Sequence, residues 1–186
     1  MAARAAFAGD TATSWKGSSV IEFSGTSTLH NWSGKVPAEP FAATVLMGEN
    51  DRPQKLKASV EVKAAKMDTG EAKRDENMRK DMKVKSYPLI EGTINTSFDK
   101  VMPDGGAPAK LPFTLSILGK PQPVEARISH WRLKGDVATF EIDFELSLAK
   151  CGIHVPAVLL VISVGDVIKL HAPVRLVRAD SQAIRP

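Results

Sequence analysis

The chain has 186 residues, of which 43% are apolar and 6% aromatic, with a formal net charge of +4 and a single cysteine. That length fits one domain. The lone Cys151 excludes an intrachain disulfide and a cysteine metal cluster, and the mild positive charge, with no basic run interleaved with aromatics, gives no nucleic-acid footprint.

At the start, Ala6-Phe7-Ala8 has the small-x-small form of a signal-peptidase site. Residues 1–17 are expected to be a flexible N-terminal segment, either the remnant of an export signal or an Ala-rich tail, ahead of a domain over residues 18–178 and a C-terminal tail over 179–186. From Ser18 the pattern becomes regular: Ile21 and Phe23 alternate with Glu22 and Ser24, as in a half-buried strand. Gly25 to Trp32, GTSTLHNW, is rich in small hydroxyl residues. Gly34 to Pro40 contains two prolines, which suits an edge or crossing, and Phe41 to Met47 is a second apolar stretch. Gly48 to Pro53 reads as a turn. Leu56, Ala58, Val60 and Val62 then alternate with Lys57, Ser59, Glu61 and Lys63, an amphipathic strand.

The period changes at Asn77 to Gly92, NMRKDMKVKSYPLIEG. Met78 and Met82 lie four apart among charged residues, giving a short helix over residues 73–85 with one narrow apolar stripe. Tyr87-Pro88 stops it, because the residue before proline is pushed out of the α region. A charged helix in an otherwise β chain cannot form a layer of its own. It is expected to lie across an opening or edge of the sheet, its methionines either closing a cavity or serving as ordinary core. A strand follows with Ile90, Ile94 and Phe98 on one face. Met102 to Pro108 is a turn. Leu111, Phe113, Leu115 and Ile117 form the next apolar face, then Val124, Ala126 and Ile128, then Phe140, Ile142, Phe144, Leu146 and Leu148. A loop covers Lys150 to Pro156, and Ile168 to Leu176 closes the pattern. Val155 to Val164, the longest apolar run, contains Pro156 and is too short for a membrane helix.

About eight strands, each with one apolar face and joined by short turns, must bring those faces together. A single antiparallel sheet closed into a barrel does so and removes the exposed edges; a two-sheet sandwich is the competitor. A barrel of about eight strands is wide enough to be filled by its own side chains or to hold one small ligand.

Catalytic signatures are weak. His30, His130, His154 and His171 show no helical metal spacing and no HExxH pattern. No nucleophile elbow, phosphate loop or dinucleotide fingerprint is present. Cys151 has His154 three residues on but no identifiable orienting group. The acidic residues of Glu141 to Glu145 alternate with apolar ones and so lie on a solvated face. His30, between Leu29 and Trp32, is the one polar ring to watch: it is placed either to meet a ligand head group or to serve as an ordinary wall histidine. No metal or cofactor is expected.

Three segments together resemble the YceI-like family of bacterial exported lipid-binding proteins. These are Phe23 to Trp32 (FSGTSTLHNW), the Met-x-x-x-Met helix followed by Tyr87-Pro88-x-Ile90, and Cys151-Gly152-Ile153 with Val164-Gly165-Asp166-x-Ile168. The turn Gly119-Lys120-Pro121-Gln122-Pro123 departs from the family's usual Gly-x-Thr-Lys-Pro. The resemblance spans about Ser18 to Leu176. It implies a lipocalin-like all-β barrel, periplasmic or secreted, that holds a long-chain isoprenoid or other apolar lipid. Ligand contacts are expected from Ile21, Phe23, His30, Trp32, Val60, Met78, Met82, Ile94, Phe113, Leu115, Phe140, Ile142 and Phe144. Burying a chain of roughly 40 carbons at about 0.3 kcal/mol per atom gives about 12 kcal/mol, near nanomolar, without any catalytic group. Two other readings stand beside this one. One is a structural or partner-binding barrel with a filled interior, for which a homodimer is one arrangement; the other is an enzyme acting through His30.

Overall fold

The structure, a computed structural model, describes residues 11–48, 51–103, 106–153 and 164–179. Nine strands run in the order of the chain: β1 (Ala12–Gly25), β2 (Trp32–Pro37), β3 (Phe41–Met47), β4 (Pro53–Lys63), β5 (Leu89–Ser97), β6 (Lys110–Ile117), β7 (Lys120–Lys134), β8 (Val137–Ser147) and β9 (Val167–Arg178). All pairings between strands are antiparallel, and β9 returns to pair with β1, from Trp15↔Arg178 to Ser24↔Lys169, so the sheet closes.

The nine strands fill eight barrel positions. β2 and β3 lie end to end along the same side of β1: Val20 faces Pro37, and Gly17 faces Phe41. Between them Ala38 donates its N–H to the Ser19 carbonyl at 3.0 Å and bridges to Val62 of β4. Pro37 and Pro40 lack N–H donors and break one long strand into two pieces, so the proline-rich stretch marks an interruption, not an outer edge.

Glycines opposite aromatics recur along this seam. Gly17 pairs with Phe41, Gly25 with Trp32 and Gly34 with Phe23. At each glycine a Cβ would overlap the partner ring. The rings therefore lie flat across their neighbouring strand, a cross-strand packing that offsets the poor strand propensity of glycine.

The first strand starts at Ala12, so residues 12–17 belong to the barrel and not to a flexible leader. Thr13, Trp15 and Gly17 continue the inward row of Ser19, Ile21 and Phe23, and Trp15 packs against the core beside Phe41. The strand was obscured because Ser14, Lys16 and Ser18 leave one strong apolar residue in six. The segment 26–31 leaves β1 as a loop, tied down by Gly165 N–H to the Thr26 carbonyl (2.8 Å).

The helix α1 spans Ala72–Asp81 with Met82 as its C-cap, ending before the expected 85. Lys83, at φ 47°, turns the chain in the left-handed region. Three single turns were not anticipated: a 3-10 turn at Ala64–Lys66 and the short helices α2 (Phe98–Val101) and α3 (Leu148–Cys151), the last occupying the start of the expected loop. Single turns leave no periodic pattern to read. Asp166 caps α3, accepting the Ala149 N–H at 2.8 Å. Its carboxyl is held below the usual range first by the Ser147 hydroxyl and then by that backbone N–H. The triplet Ala6-Phe7-Ala8, His154 and most of Val155 to Val164 lie outside the described residues.

β7 carries a bulge between Ser129 and Arg132, with His130 at φ 53°. The extra residue reverses the alternation. Ile128 points inward before it, Trp131 and Leu133 line the interior after it, and His130 swings outward to Glu141 at 2.7 Å.

Candidate ligand cavity

The barrel surrounds a cavity of about 750 Å³ whose wall runs from one end of the barrel to the other. Inward positions of every strand contribute, because alternation along each strand sends every second side chain to the lumen. At one end lie the 26–31 loop, α1, α3 and Ile153. At the other lie Trp15, Met47, Trp131, Leu133 and α2, whose Phe98 and Val101 also face the space. The wall is overwhelmingly aliphatic and aromatic. Three ring pairs stiffen it: Phe113 with Phe144 (5.3 Å, edge-on), Phe23 with Trp32 (6.2 Å, edge-on) and Trp131 stacked on Phe140 (4.9 Å).

All thirteen residues expected from sequence to contact ligand stand on this wall: Ile21, Phe23, His30, Trp32, Val60, Met78, Met82, Ile94, Phe113, Leu115, Phe140, Ile142 and Phe144. Their surroundings differ. Phe23, Leu115, Phe140 and Met82 are buried, whereas His30 is exposed at the rim. The backbone of His30 is engaged: its carbonyl accepts the Ser27 hydroxyl at 2.7 Å. Cys151 is buried on the wall with its Sγ 2.9 Å from the Gln122 amide nitrogen, an arrangement of packing and not of a poised nucleophile.

Helix α1 is anchored from several directions. Buried Asp75 accepts the Thr69 N–H (3.0 Å) and hydroxyl (2.7 Å), fixing the approach to the helix. Asp68 and Lys35 exchange both backbone hydrogen bonds, tying that approach to β2. The Arg79 guanidinium reaches the Ala65 carbonyl at 3.5 Å. Met82 packs with Leu115, Ile117, Leu118, Cys151 and Ile153, and Met78 touches both this cluster and the one around Phe23, Val36, Val62 and Ile168. The helix thus borders its end of the cavity and is part of the core at the same time.

Residues not anticipated from sequence also line the space. Arg74, Asn77 and Asp81 come from α1, and the helical spacing that picked out Met78 and Met82 places them beside those methionines. Trp15, Phe41 and Trp131 complete the aromatic wall; the bulge hid Trp131 from any period-2 reading. Burial pushes the Asp81 carboxyl upward, against the opposing pull of Lys80.

Outside the barrel, one row of cross-strand neighbours carries charge. Glu22 faces His171, His171 faces Asp143, and Asp143 faces Arg127. His171 Nδ1–H donates to Asp143 at 2.9 Å. This bond raises the imidazole and lowers the carboxyl relative to their ordinary values.

A closed antiparallel barrel of eight positions around an apolar cavity defines a class: a β-barrel that encloses its ligand. The YceI-like domain family matches residues 13–176, and the chain belongs to that family. No curated protein matches the chain. Among solved structures it is similar to Burkholderia cenocepacia BcnA, with a TM-score of 0.65 at 16% identity, covering 84% of this chain and 95% of that one. It is similar to a polyisoprenoid binding domain from Saccharophagus degradans, implicated in plant cell wall breakdown, with a TM-score of 0.60 at 12% identity over 88% and 98% of the two chains. It also resembles the Campylobacter jejuni YCEI protein, with a TM-score of 0.54 at 19% identity over 80% and 85%. At these identities the likeness is one of fold.

Proposed function

We propose that this protein binds and carries a long apolar lipid, a polyisoprenoid or a chain of similar bulk, without transforming it, and that it works in the periplasm or outside the cell. The observation that carries this reading is the continuous apolar cavity of about 750 Å³ inside a closed barrel. Membership of the YceI-like family supports it, and so does the fold shared with a domain described as polyisoprenoid binding. A filled structural barrel would leave no such space.

The volume narrows the ligand. An apolar cavity of about 150 Å³ takes one benzene, about 25 Å³ per carbon. On that scale a 750 Å³ cavity accommodates about 30 carbons, fewer than the roughly 40 expected from sequence; a longer chain must leave part of itself at an end. At about 0.3 kcal/mol per atom, 30 buried carbons give about 9 kcal/mol, a sub-micromolar affinity from apolar burial alone.

The enzyme reading through His30 lacks support from geometry: among the described residues its ring has no hydrogen-bonded carboxylate or nucleophile beside it. The test is native mass spectrometry of gently purified protein, followed by organic extraction. A retained lipid of about 30 carbons or more supports carriage. Protein that is lipid-free from every preparation, and fails to take up an added isoprenoid, overturns it.

A further inference from the structure

Helix α1 meets the cavity with a divided face. At about 100° per residue, Asn77, Asp81, Arg74, Met78 and Met82 follow one another across an arc of about 140°. The methionine edge is sunk among Leu115, Ile117 and Ile153, and the opposite edge is exposed at Asn77. Polarity therefore grades from lumen to rim across one helix, and Arg74, Asn77 and Asp81 all border the cavity. Among the described residues none of the three side chains makes a hydrogen bond or ion pair. Of the other polar residues of the helix, Asp75 is held by Thr69, Arg79 by Ala65, and Lys73 by Glu76 at 2.8 Å, while exposed Lys80 lies off the cavity wall.

The far end of the cavity is different. There Arg178 lies over the Trp15 ring at 6.0 Å, and Thr13 Oγ1 accepts the Trp15 indole N–H at 3.3 Å. These side chains are engaged within the chain. Among the described residues, the remaining polar side-chain groups away from the α1 end are single hydroxyl or indole groups such as the buried, unpartnered Ser19 Oγ, whereas α1 gathers three unpaired polar side chains.

Resting on the carrier reading, we propose that Arg74, Asn77 and Asp81 form the head-group site, with His30 and Ser27 across the rim, and that the lipid enters tail-first toward Trp15 and Trp131. The site carries one cation, one carboxylate and an amide that both donates and accepts. Arg74 and Asp81 are seven residues apart, about 10 Å along the axis, so a compact group fits between them. Such a site matches a neutral head that donates and accepts, a hydroxyl or phenol. A diphosphate would place its charges against Asp81, where partial burial strengthens the repulsion.

Delipidated full-length protein tests this with three isoprenoid probes of 30 carbons: squalene, hexaprenol and hexaprenyl diphosphate. Dissociation constants are read by quenching of tryptophan fluorescence. Hexaprenol is expected to bind about tenfold more tightly than squalene, the weight of one hydrogen bond to a charged group. The variant Arg74→Gln/Asn77→Ala/Asp81→Asn should bring that ratio to unity, each probe being compared within the same variant. Asp81→Asn alone should strengthen diphosphate binding about tenfold, a gain that misfolding cannot imitate. If squalene binds and the alcohol ratio is unity, or is the same in the triple variant, the head-group site is refuted while the carrier stands. If wild type prefers the diphosphate, the neutral-head assignment is refuted. If folded protein binds none of the three, the carrier reading falls and the head-group site with it.

Discussion

Truncating the two α1 methionines separately distinguishes sealing the cavity from supporting the fold. Met82 is 6% exposed and packs among five buried neighbours. Methionine-to-alanine in a core costs about 2–5 kcal/mol, rising with the void left behind. Met82 already borders an open cavity, so little new void is created and the lower half of that range applies, about 2–3 kcal/mol. For a chain of this size each kcal/mol shifts Tm by about 2–4 °C, so Met82→Ala should lose about 4–12 °C. Met78 is only half-buried and bridges two clusters; its truncation should cost about 1 kcal/mol, or about 2–4 °C. Both lose apolar contact with a bound chain, about 1–2 kcal/mol at about 0.8 kcal/mol per methylene. The off-rate of a bound 30-carbon lipid should therefore rise about 5- to 30-fold in each variant. The assay is thermal melting of the apo protein beside lipid off-rate by dilution into acceptor vesicles. Unchanged off-rates in both variants, whatever the melting temperatures, would show that α1 does not close the cavity. An unchanged Tm for Met82→Ala would refute its placement in the core.

Ile142→Asp puts an unpaired carboxylate on the cavity wall, at a cost of several kcal/mol or with forced protonation; loss of lipid or of folding is expected, and wild-type retention and Tm would refute the inward face. Asp143→Asn is a poor control, because Asp143 holds His171 and Arg127; exposed Glu145→Gln serves instead and should change neither. The His171–Asp143 pair should contribute stability that is present in full between about pH 4 and pH 6.5. It is lost above that range as the raised imidazole deprotonates, and below it as the depressed carboxyl protonates. Both side chains are about a third exposed, so the effect is well under about 1 kcal/mol after screening; an NMR titration of His171 whose midpoint does not fall in Asp143→Asn would refute the pairing. Gly17→Ala must push the Phe41 ring out of the space it occupies, toward the lumen, with an overpacking cost of about 1–3 kcal/mol; the mass of co-purified lipid should drop, and an unaltered lipid profile would show that the ring yields elsewhere. Expressed from its full reading frame, the protein should be recovered in the periplasm or medium, and exclusive recovery in the cytosol would refute export.

The barrel was legible because closure demands one apolar face from each strand, and alternation along β4, β6, β8 and β9 announces it directly. The wall residues followed from the same alternation, which is why Ile94, Phe113, Phe140 and Ile142 all stand where period 2 places them. What escaped notice was whatever breaks the period or lacks apolar side chains. β1 began six residues early because Ser14, Lys16 and Ser18 are outward-facing and Gly17 carries no side chain; its inward partner is supplied by Phe41 from the next strand. Trp131 was hidden by a single inserted residue. Arg74, Asn77 and Asp81 were visible in principle, since the spacing that selected Met78 and Met82 selects them too. Charge usually marks the solvated face of a helix, yet Arg74 and Asp81 border the cavity beside the methionines.

The cavity poses a packing problem of its own. Eight strand positions can be closed by side chains meeting in the middle, and this lumen is lined by Phe23, Trp32 and Phe41, large enough to do so. It stays open because each of these rings lies across a glycine on the neighbouring strand rather than projecting inward. The glycines are thus the complement of the aromatics: strand propensity is given up at Gly17, Gly25 and Gly34 so that a ring can lie against the wall and leave its volume to a ligand. All three pairs lie along one seam, where β1 meets β2 and β3, and that seam runs from the end near Trp15 to the rim beside His30. A chain threaded along it would meet mostly flat aromatic and aliphatic surface, with the Ser19 hydroxyl on the β1 row and a cluster of polar side chains at α1. Affinity would then come from the wall, and orientation from the helix.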